Sequence, residues 1–323
     1  MQKKPNLALG TAFAQDIYQG LTAYPKHLSS KYFYDETGDT LFQKIMNMPE
    51  YYLTNCEFDI LERNKSEICS ILAEDGTPFS LFELGAGDGK KTKILLQHLL
   101  EKEMNFDYRP IDISQNALNQ LQASIKQELP QLNINTLQGT YFEALKDIKE
   151  LHGRRKIILF LGSNIGNLLH PQAIDFLKNL RNALNDGDLL LMGMDQKKNP
   201  QTILNAYSDA TGITEAFNKN VLVRINHELG GNFNIDQFLH WEVYDPETGT
   251  AKSYLVAKEA HEVLISGLDL TVTFKRWETI HTEISQKYDD DVVQWLADRS
   301  GLEITTQFTD TDERYKNYIF KKK

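Results

Sequence analysis

Residues 79–103 read FSLFELGAGDGKKTKILLQHLLEKE. An apolar strand runs into three glycines, Gly85, Gly87 and Gly89, and then into a segment whose apolar positions recur at three and four, the spacing of an amphipathic helix. Glycine lets the backbone approach a ligand closely, and the start of the following helix offers free N–H groups. The strand–turn–helix unit repeats outward from this loop: FDYRPIDIS (106–114), ALNQLQASIKQEL (117–129), INTLQGTYF (134–142), KIILFLGS (156–163), QAIDFLKNLRNAL (172–184) and LLLMGMD (189–195). Strands alternating with helices at this spacing predict a parallel sheet covered on both faces, and KIILFLG, apolar almost throughout, reads as a central strand.

On either side the pattern changes. Residues 1–75 read mostly as helices, interrupted at Pro49, so that Tyr51 and Tyr52 open a new segment near a corner. Beyond Lys197 the segments FLHWEVYDPETGTAKSYLVAKEAHEVLI (238–265) and LDLTVTFKRWETIHTEISQKY (268–288) alternate with period two around an Asp245–Gly249 turn, which predicts antiparallel strands. The tail returns to a helix, VVQWLADRS (292–300), then Gly301 and two short strands, LEITTQFTD (302–310) and YKNYIFKK (315–322), placed antiparallel at an edge of the first sheet. At 323 residues the chain exceeds one ordinary core.

The bulk numbers narrow the function. A net charge of −10, with Lys and Arg scattered rather than striped, offers no surface for a phosphate backbone, so nucleic-acid partners are disfavoured. The two cysteines, Cys56 and Cys69, have no CxxC spacing, which argues against a disulfide framework or a zinc site. The start, MQKKPNLALGTAFAQDIYQG, lacks an apolar run of secretory length, and no stretch of 18 apolar residues occurs, so a cytoplasmic chain without a membrane span is expected.

By its residues alone the glycine loop could serve a dinucleotide or S-adenosylmethionine, or could be a tight turn. Asp112, about 20 residues past the loop, is placed to accept ribose hydroxyls in either cofactor. The glycines follow Glu83 as GxGxG rather than GxGxxG, which favours a methyl donor. Glu283 and Ser285 stand two apart on a predicted strand and emerge on one face. There a carboxylate could accept an N–H while a neighbouring hydroxyl donates or accepts, or both could be the solvent side of the strand. Tyr34, Tyr51 and Tyr207 could be buried aromatics and Asn167 a helix cap, although Gly162 and Gly166 flank a loop at the carboxyl end of a central strand, where ligands of open α/β sheets bind.

Six segments in order resemble the motifs of the L-histidine N-α-methyltransferase family of ergothioneine biosynthesis: LTAYPKHLSSKYFYD (21–35), MPEYYLTNCE (48–57), FELGAGDGKKT (82–92), FLGSNIGNL (160–168), NAYSDATGITEAFNKN (205–220) and HTEISQKY (281–288). The resemblance runs from Leu21 to the end. It implies an α/β fold with a Rossmann-like class I methyltransferase sheet, residues 61–198 and 286–323, and a second, smaller α+β substrate-binding domain, residues 1–60 and 199–285. It implies S-adenosylmethionine as methyl donor, held by Glu83, Gly85, Gly87, Lys91, Asp112, Thr140 and Tyr141, with no metal. The amino-acid substrate would meet Tyr51, Gly162, Asn164, Asn167, Tyr207, Thr214, Phe217, Ser253, Glu283 and Ser285, with Tyr34 as the catalytic group that orients the amine and passes its proton to water. A monomer acting on a free amino acid is expected.

Two departures from the family pattern bear on specificity. Where the pattern has an acidic residue followed by Phe near the adenine, this chain has Thr140 and Tyr141. Asn164 stands in place of Thr and Ser253 in place of Met, both in the histidine pocket. These changes leave open another free amino acid or an aromatic amine as substrate. A nicotinamide-dependent oxidoreductase and a catalytically silent S-adenosylmethionine-binding protein are the other readings.

Overall fold

The computed structural model describes residues 10–74, 76–151 and 153–323; the basic beginning of the N-terminal segment, residues 1–9, lies outside them. The described residues fall into two compact units. Those up to Tyr51 together with Asn199–Ser285 form the first, and Tyr52–Lys198 with Gln286–Lys323 form the second. The helix Tyr52–Leu72 lies whole in the second unit, so a border at 60/61 would cut it; the natural break is the corner at Pro49, where the preceding helix Glu36–Met46 has already ended.

The second unit is built on a seven-stranded sheet. Its strands in chain order are β1 (Phe79–Leu84), β2 (Phe106–Asp112), β3 (Leu137–Gln138), β4 (Arg155–Phe160), β5 (Leu189–Asp195), β6 (Leu302–Thr309) and β7 (Tyr315–Lys322). They lie in the order β3-β2-β1-β4-β5-β7-β6. β1 through β5 pair in parallel, β7 runs antiparallel to β5, and β6 antiparallel to β7. β1 and β5 are buried along their whole length and β4 beyond Arg155, their apolar residues joined by the buried polar groups Ser80, Glu83, Lys156 and Asp195. Phe82, Ile158, Phe160, Leu190 and Met192 of the sheet pack with Phe176, Leu177 and Leu180 of the helix His170–Ala183 and with Leu296 of the helix Asp290–Ser300. Strand order reverses between β1 and β4, and the loops leaving their carboxyl ends flank the crevice that such sheets use for ligands.

The first unit holds a four-stranded sheet in the order Lys26–His27, Thr279–Gln286, Thr250–Ala257, Phe238–Asp245. The last two form a hairpin whose turn is tied by Asp245: Oδ1 accepts from Glu247 N–H at 3.0 Å and Oδ2 from the Thr248 hydroxyl at 2.8 Å. Between Lys197 and this hairpin, a stretch in which the sequence pattern defined no element, come two helices, Pro200–Tyr207 and Ile213–Leu229. The longer one carries buried Asn218 and Asn220 among Phe217, Val221, Leu222 and Ile225, so its buried face does not read as an apolar stripe. Among the described residues no helix is long and apolar enough to cross a membrane.

Candidate active site

The residues implied for the methyl donor all lie in the second unit. Gly85 follows β1 in the left-handed region, φ 75°, and its N–H donates to Ile111 O at 2.8 Å. A Cβ there would fall 2.7 Å from Tyr141 Oη and 2.9 Å from Asn164 Nδ2, so only glycine fits. Beside Gly87, in contrast, a Cβ would meet nothing within 4 Å: the loop faces open space that a ligand can enter. Asp112, half-buried at the end of β2, accepts from Gly87 N–H at 3.0 Å through one oxygen and from Ser114 N–H at 2.9 Å through the other. Burial pushes its carboxyl up against the opposing pull of those N–H groups. Each oxygen retains a lone pair for a ribose hydroxyl. A glycine cradle beside a half-buried acceptor fits a nucleoside with a ribose diol.

The other residues implied for the donor divide by position. Tyr141 turns its hydroxyl to Gly85, its ring packed edge-on to Phe160 at 5.1 Å. Lys91, at the head of the helix Thr92–Glu101, pairs with Glu57. Glu83 is buried beneath the loop, accepting from the Thr92 and Tyr108 hydroxyls; burial outweighs those bonds and pushes its carboxyl up to about 7. Its contacts brace the loop rather than face open space. Thr140 caps the helix Tyr141–Glu150, and its hydroxyl donates to Glu143 Oε2 at 2.7 Å. The carboxylate that the family pattern places at 140 is thus brought to the same spot from 143, within a capping box.

The loop after β4 starts with two consecutive left-handed residues, Gly162 (φ 74°) and Ser163 (φ 56°). A non-glycine residue there costs roughly 1–2 kcal/mol. The Ser163 hydroxyl accepts from Asp195 N–H at 3.0 Å, which offsets part of it. The turn presents Asn164 toward Gly85 and ends the short helix Asn164–Asn167 on an exposed Asn167.

Of the residues implied for the amino acid, Gly162, Asn164 and Asn167 lie in the second unit and the others in the first, where five rings form a chain. Tyr34 lies 5.3 Å from Phe217 and 5.5 Å from Phe42; Phe42 lies 5.7 Å from Phe217 and 6.3 Å from Tyr51; Tyr51 lies 6.3 Å from Tyr207. Tyr207 is buried and its hydroxyl shares a 2.7 Å hydrogen bond with Ser285 Oγ. Glu283, two residues earlier on the strand, receives contacts from Asn218 Nδ2 and Ser253 Oγ, each at 3.4 Å. The shorter bond of Ser253 goes to Glu242 Oε2 at 2.6 Å, on the neighbouring strand. Thr214 is buried one turn before Phe217 on the helix that also carries Asn218, and its N–H donates to Asp209 at 2.8 Å. The implied substrate residues of this unit therefore make one continuous set: an aromatic end at Tyr34, Tyr51 and Phe217, and a polar end at Tyr207, Ser253, Glu283 and Ser285.

A family model described as histidine-specific methyltransferase, SAM-dependent, matches residues 13–322. The chain belongs to this family. Among its relatives, the histidine N-alpha-methyltransferase of Mycolicibacterium smegmatis is 38% identical over 93% of this chain and 91% of its own length. That of Mycobacterium tuberculosis is 35% identical over the same shares. Ergothioneine biosynthesis protein 1 of Schizosaccharomyces pombe is 29% identical over 91% of this chain, which spans 39% of that longer protein. The chain is thus an S-adenosylmethionine-dependent methyltransferase, and the dinucleotide reading of its glycine loop falls away.

Five residues of the arrangement were not singled out in the sequence: Phe42, Glu57, Glu143, Asn218 and Glu242. A signal existed for Glu57, a carboxylate at helical spacing between Leu53 and the Ile60–Leu61 pair, on an apolar stripe where an unpaired charge would be costly. For Glu143 the signal was the T-x-x-E spacing from Thr140. Phe42, Asn218 and Glu242 had none, since each acquires its meaning from a partner distant in the chain.

Proposed function

We propose that this enzyme methylates the α-amino group of free L-histidine, carrying it to the trimethylammonium betaine. The observation that carries the reading is the strand face of Glu283 and Ser285, where a carboxylate in contact with Asn218 and Ser253 lies beside a hydroxyl paired with Tyr207. A carboxylate accepts an imidazole N–H, and a hydroxyl can donate to or accept from the second ring nitrogen. The names of the two mycobacterial relatives support the same substrate. Ser253 supports it as well: its hydroxyl, bonded to Glu242, makes this end more polar than a thioether would, which disfavours an indole or an aliphatic side chain.

S-adenosylmethionine, when bound, supplies a methyl group on a sulfonium centre. The chain's own task is to present an amine with a free lone pair in line with it. An α-amino group with a reference pKa near 8 is mostly protonated at neutral pH. In this reading the Tyr34 hydroxyl orients the nitrogen and passes its proton to water. As methylation proceeds the substrate loses N–H donors and keeps its positive charge, and the Tyr34, Tyr51 and Phe217 faces then stabilise it by about 0.5–2 kcal/mol per contact. The first unit thus serves amino-acid recognition and the second the donor. The product would enter ergothioneine biosynthesis, the process in the name of the fission-yeast relative. Cys56 and Cys69, both free and buried, suit the reducing cytoplasm as the place of action.

The test is incubation with S-adenosylmethionine and each of the twenty amino acids in turn, read by mass. Histidine should gain up to three methyl groups and the other nineteen none at comparable rates. Equal turnover of tryptophan or leucine would overturn the substrate assignment.

A further inference from the structure

The helix Tyr52–Leu72 contributes one carboxylate to the interior of the second unit, and it is fully buried: Glu57 is 0% exposed. Its two oxygens take four donors. Oε2 accepts from Lys91 Nζ and from Gly162 N–H at 2.8 Å; Oε1 accepts from Tyr315 Oη and Asn317 Nδ2, each at 3.1 Å. The sheet makes room for it at Gly193 on β5, where a Cβ would fall 2.0 Å from Glu57 Oε1 and 2.4 Å from Tyr315 Oη. A glycine in the middle of a buried strand is unfavourable by itself, and the close approach of this carboxylate accounts for it.

The first pair of donors comes from the loops on either side of the strand reversal, Lys91 from the loop after β1 and Gly162 from the loop after β4. The second pair comes from β7, a rigid element behind them. One charge introduced from outside the sheet thus fixes both walls of the donor crevice to its floor. An unanchored lysine would lose side-chain freedom on meeting a ligand. Lys91, with one of its N–H groups spent on Glu57, keeps two in a set direction.

We propose that Glu57 is a positioning residue for the amino-acid end of the methyl donor: it holds the Lys91 ammonium and the Gly162 turn in the orientation that receives the donor's carboxylate. The inference rests on the donor being bound at the glycine loop, and the test separates the two. Calorimetry would compare S-adenosylhomocysteine, which has the amino-acid end, with 5′-methylthioadenosine, which keeps only the nucleoside and thioether. Glu57→Gln preserves shape but sets an amide N–H₂ against one pair of donors. It should weaken S-adenosylhomocysteine about ten- to hundredfold while methylthioadenosine changes less than about twofold. In a Lys91→Met background the same substitution should add little further loss, because its effect runs through Lys91.

A general loosening of the sheet would weaken both ligands alike, and that outcome, or full affinity of a folded Glu57→Gln variant for S-adenosylhomocysteine, overturns the proposal. If Glu57→Gln does not fold, Tyr315→Phe removes one of the four donors and keeps the ring. It should show the same selectivity at about two- to fivefold, and its absence is equally decisive. Failure of the wild-type protein to bind either ligand would instead refute the donor site itself.

Discussion

At the scale of single residues, the proposed specificity rests on the polar atoms that the substrate would meet. Glu283 is contacted by Asn218 and Ser253 at 3.4 Å, and in the proposed reading its carboxylate also accepts a ring N–H of histidine. A hydrogen bond to a charged group contributes about 1.5–3 kcal/mol, roughly ten- to over a hundredfold. Glu283→Ala should therefore lower kcat/KM for histidine by that factor and leave S-adenosylhomocysteine affinity unchanged, since the donor residues lie in the other unit. Ser285→Ala should fall in the same direction by less, because the Tyr207 hydroxyl it abandons can turn to water or substrate. Steady-state kinetics beside calorimetry reads both, and unaltered histidine turnover in Glu283→Ala would end this account of recognition. Strand period alone puts Glu283 and Ser285 on one face, while a role toward imidazole is what the family resemblance implies. The acid at Glu143 escaped notice because the family pattern drew attention to position 140, one helical turn away.

At the scale of elements, the parallel sheet was legible because central strands buried on both faces are mostly apolar, as in residues 157–160 of β4 and 189–194 of β5, and because strand and helix patterns alternate. β3 is two residues long and carries no such signature. The helix Ile213–Leu229 was illegible for the opposite reason, because it buries amides. Asn220 Nδ2 donates to Phe33 O at 3.0 Å and to Asp35 Oδ1 at 2.8 Å, and Asp35 in turn caps the helix Glu36–Met46 through Gly38 N–H at 2.8 Å. One amide thus fixes the chain around Tyr34 and the start of the helix that bears Phe42. Asn220→Ala leaves a buried carbonyl without its donor, and should destabilise the protein by about 1–3 kcal/mol in urea unfolding. A loss below about 0.5 kcal/mol would mean that water replaces the side chain and that the capping carboxylate holds its place unaided.

At the scale of the whole molecule, the chain enters and leaves the second unit three times, at 51/52, 198/199 and 285/286. The sequence revealed the two changes of pattern near Lys197 and Lys287, but not what ties the segment ends inside the unit. That tie is Asp195, at the carboxyl end of β5 and 0% exposed. Its carboxylate pairs with Lys287 Nζ at 2.7 Å, with Lys198 Nζ, and with the Tyr52 hydroxyl at 2.9 Å, so that a residue at or beside each segment end meets one buried charge. Burial works against that charge and the two ammonium groups outweigh it, holding the carboxyl below the ordinary range. A carboxyl depressed in the folded chain contributes stability that is fully present above the unfolded value of about 3.9 and is lost as pH falls through the lower folded value. Asp195→Asn strands two cations, one of them fully buried, and removing one partner of such a set costs about 3–5 kcal/mol. Urea unfolding at pH 7 should show that gap between wild type and Asp195→Asn. At pH 3 the gap should narrow, because the carboxyl of the unfolded chain takes up a proton that the folded one, held lower, resists, and this favours unfolding of the wild type. A gap independent of pH, or a variant as stable as wild type at neutrality, would show that the three segment ends are held by packing and not by this charge.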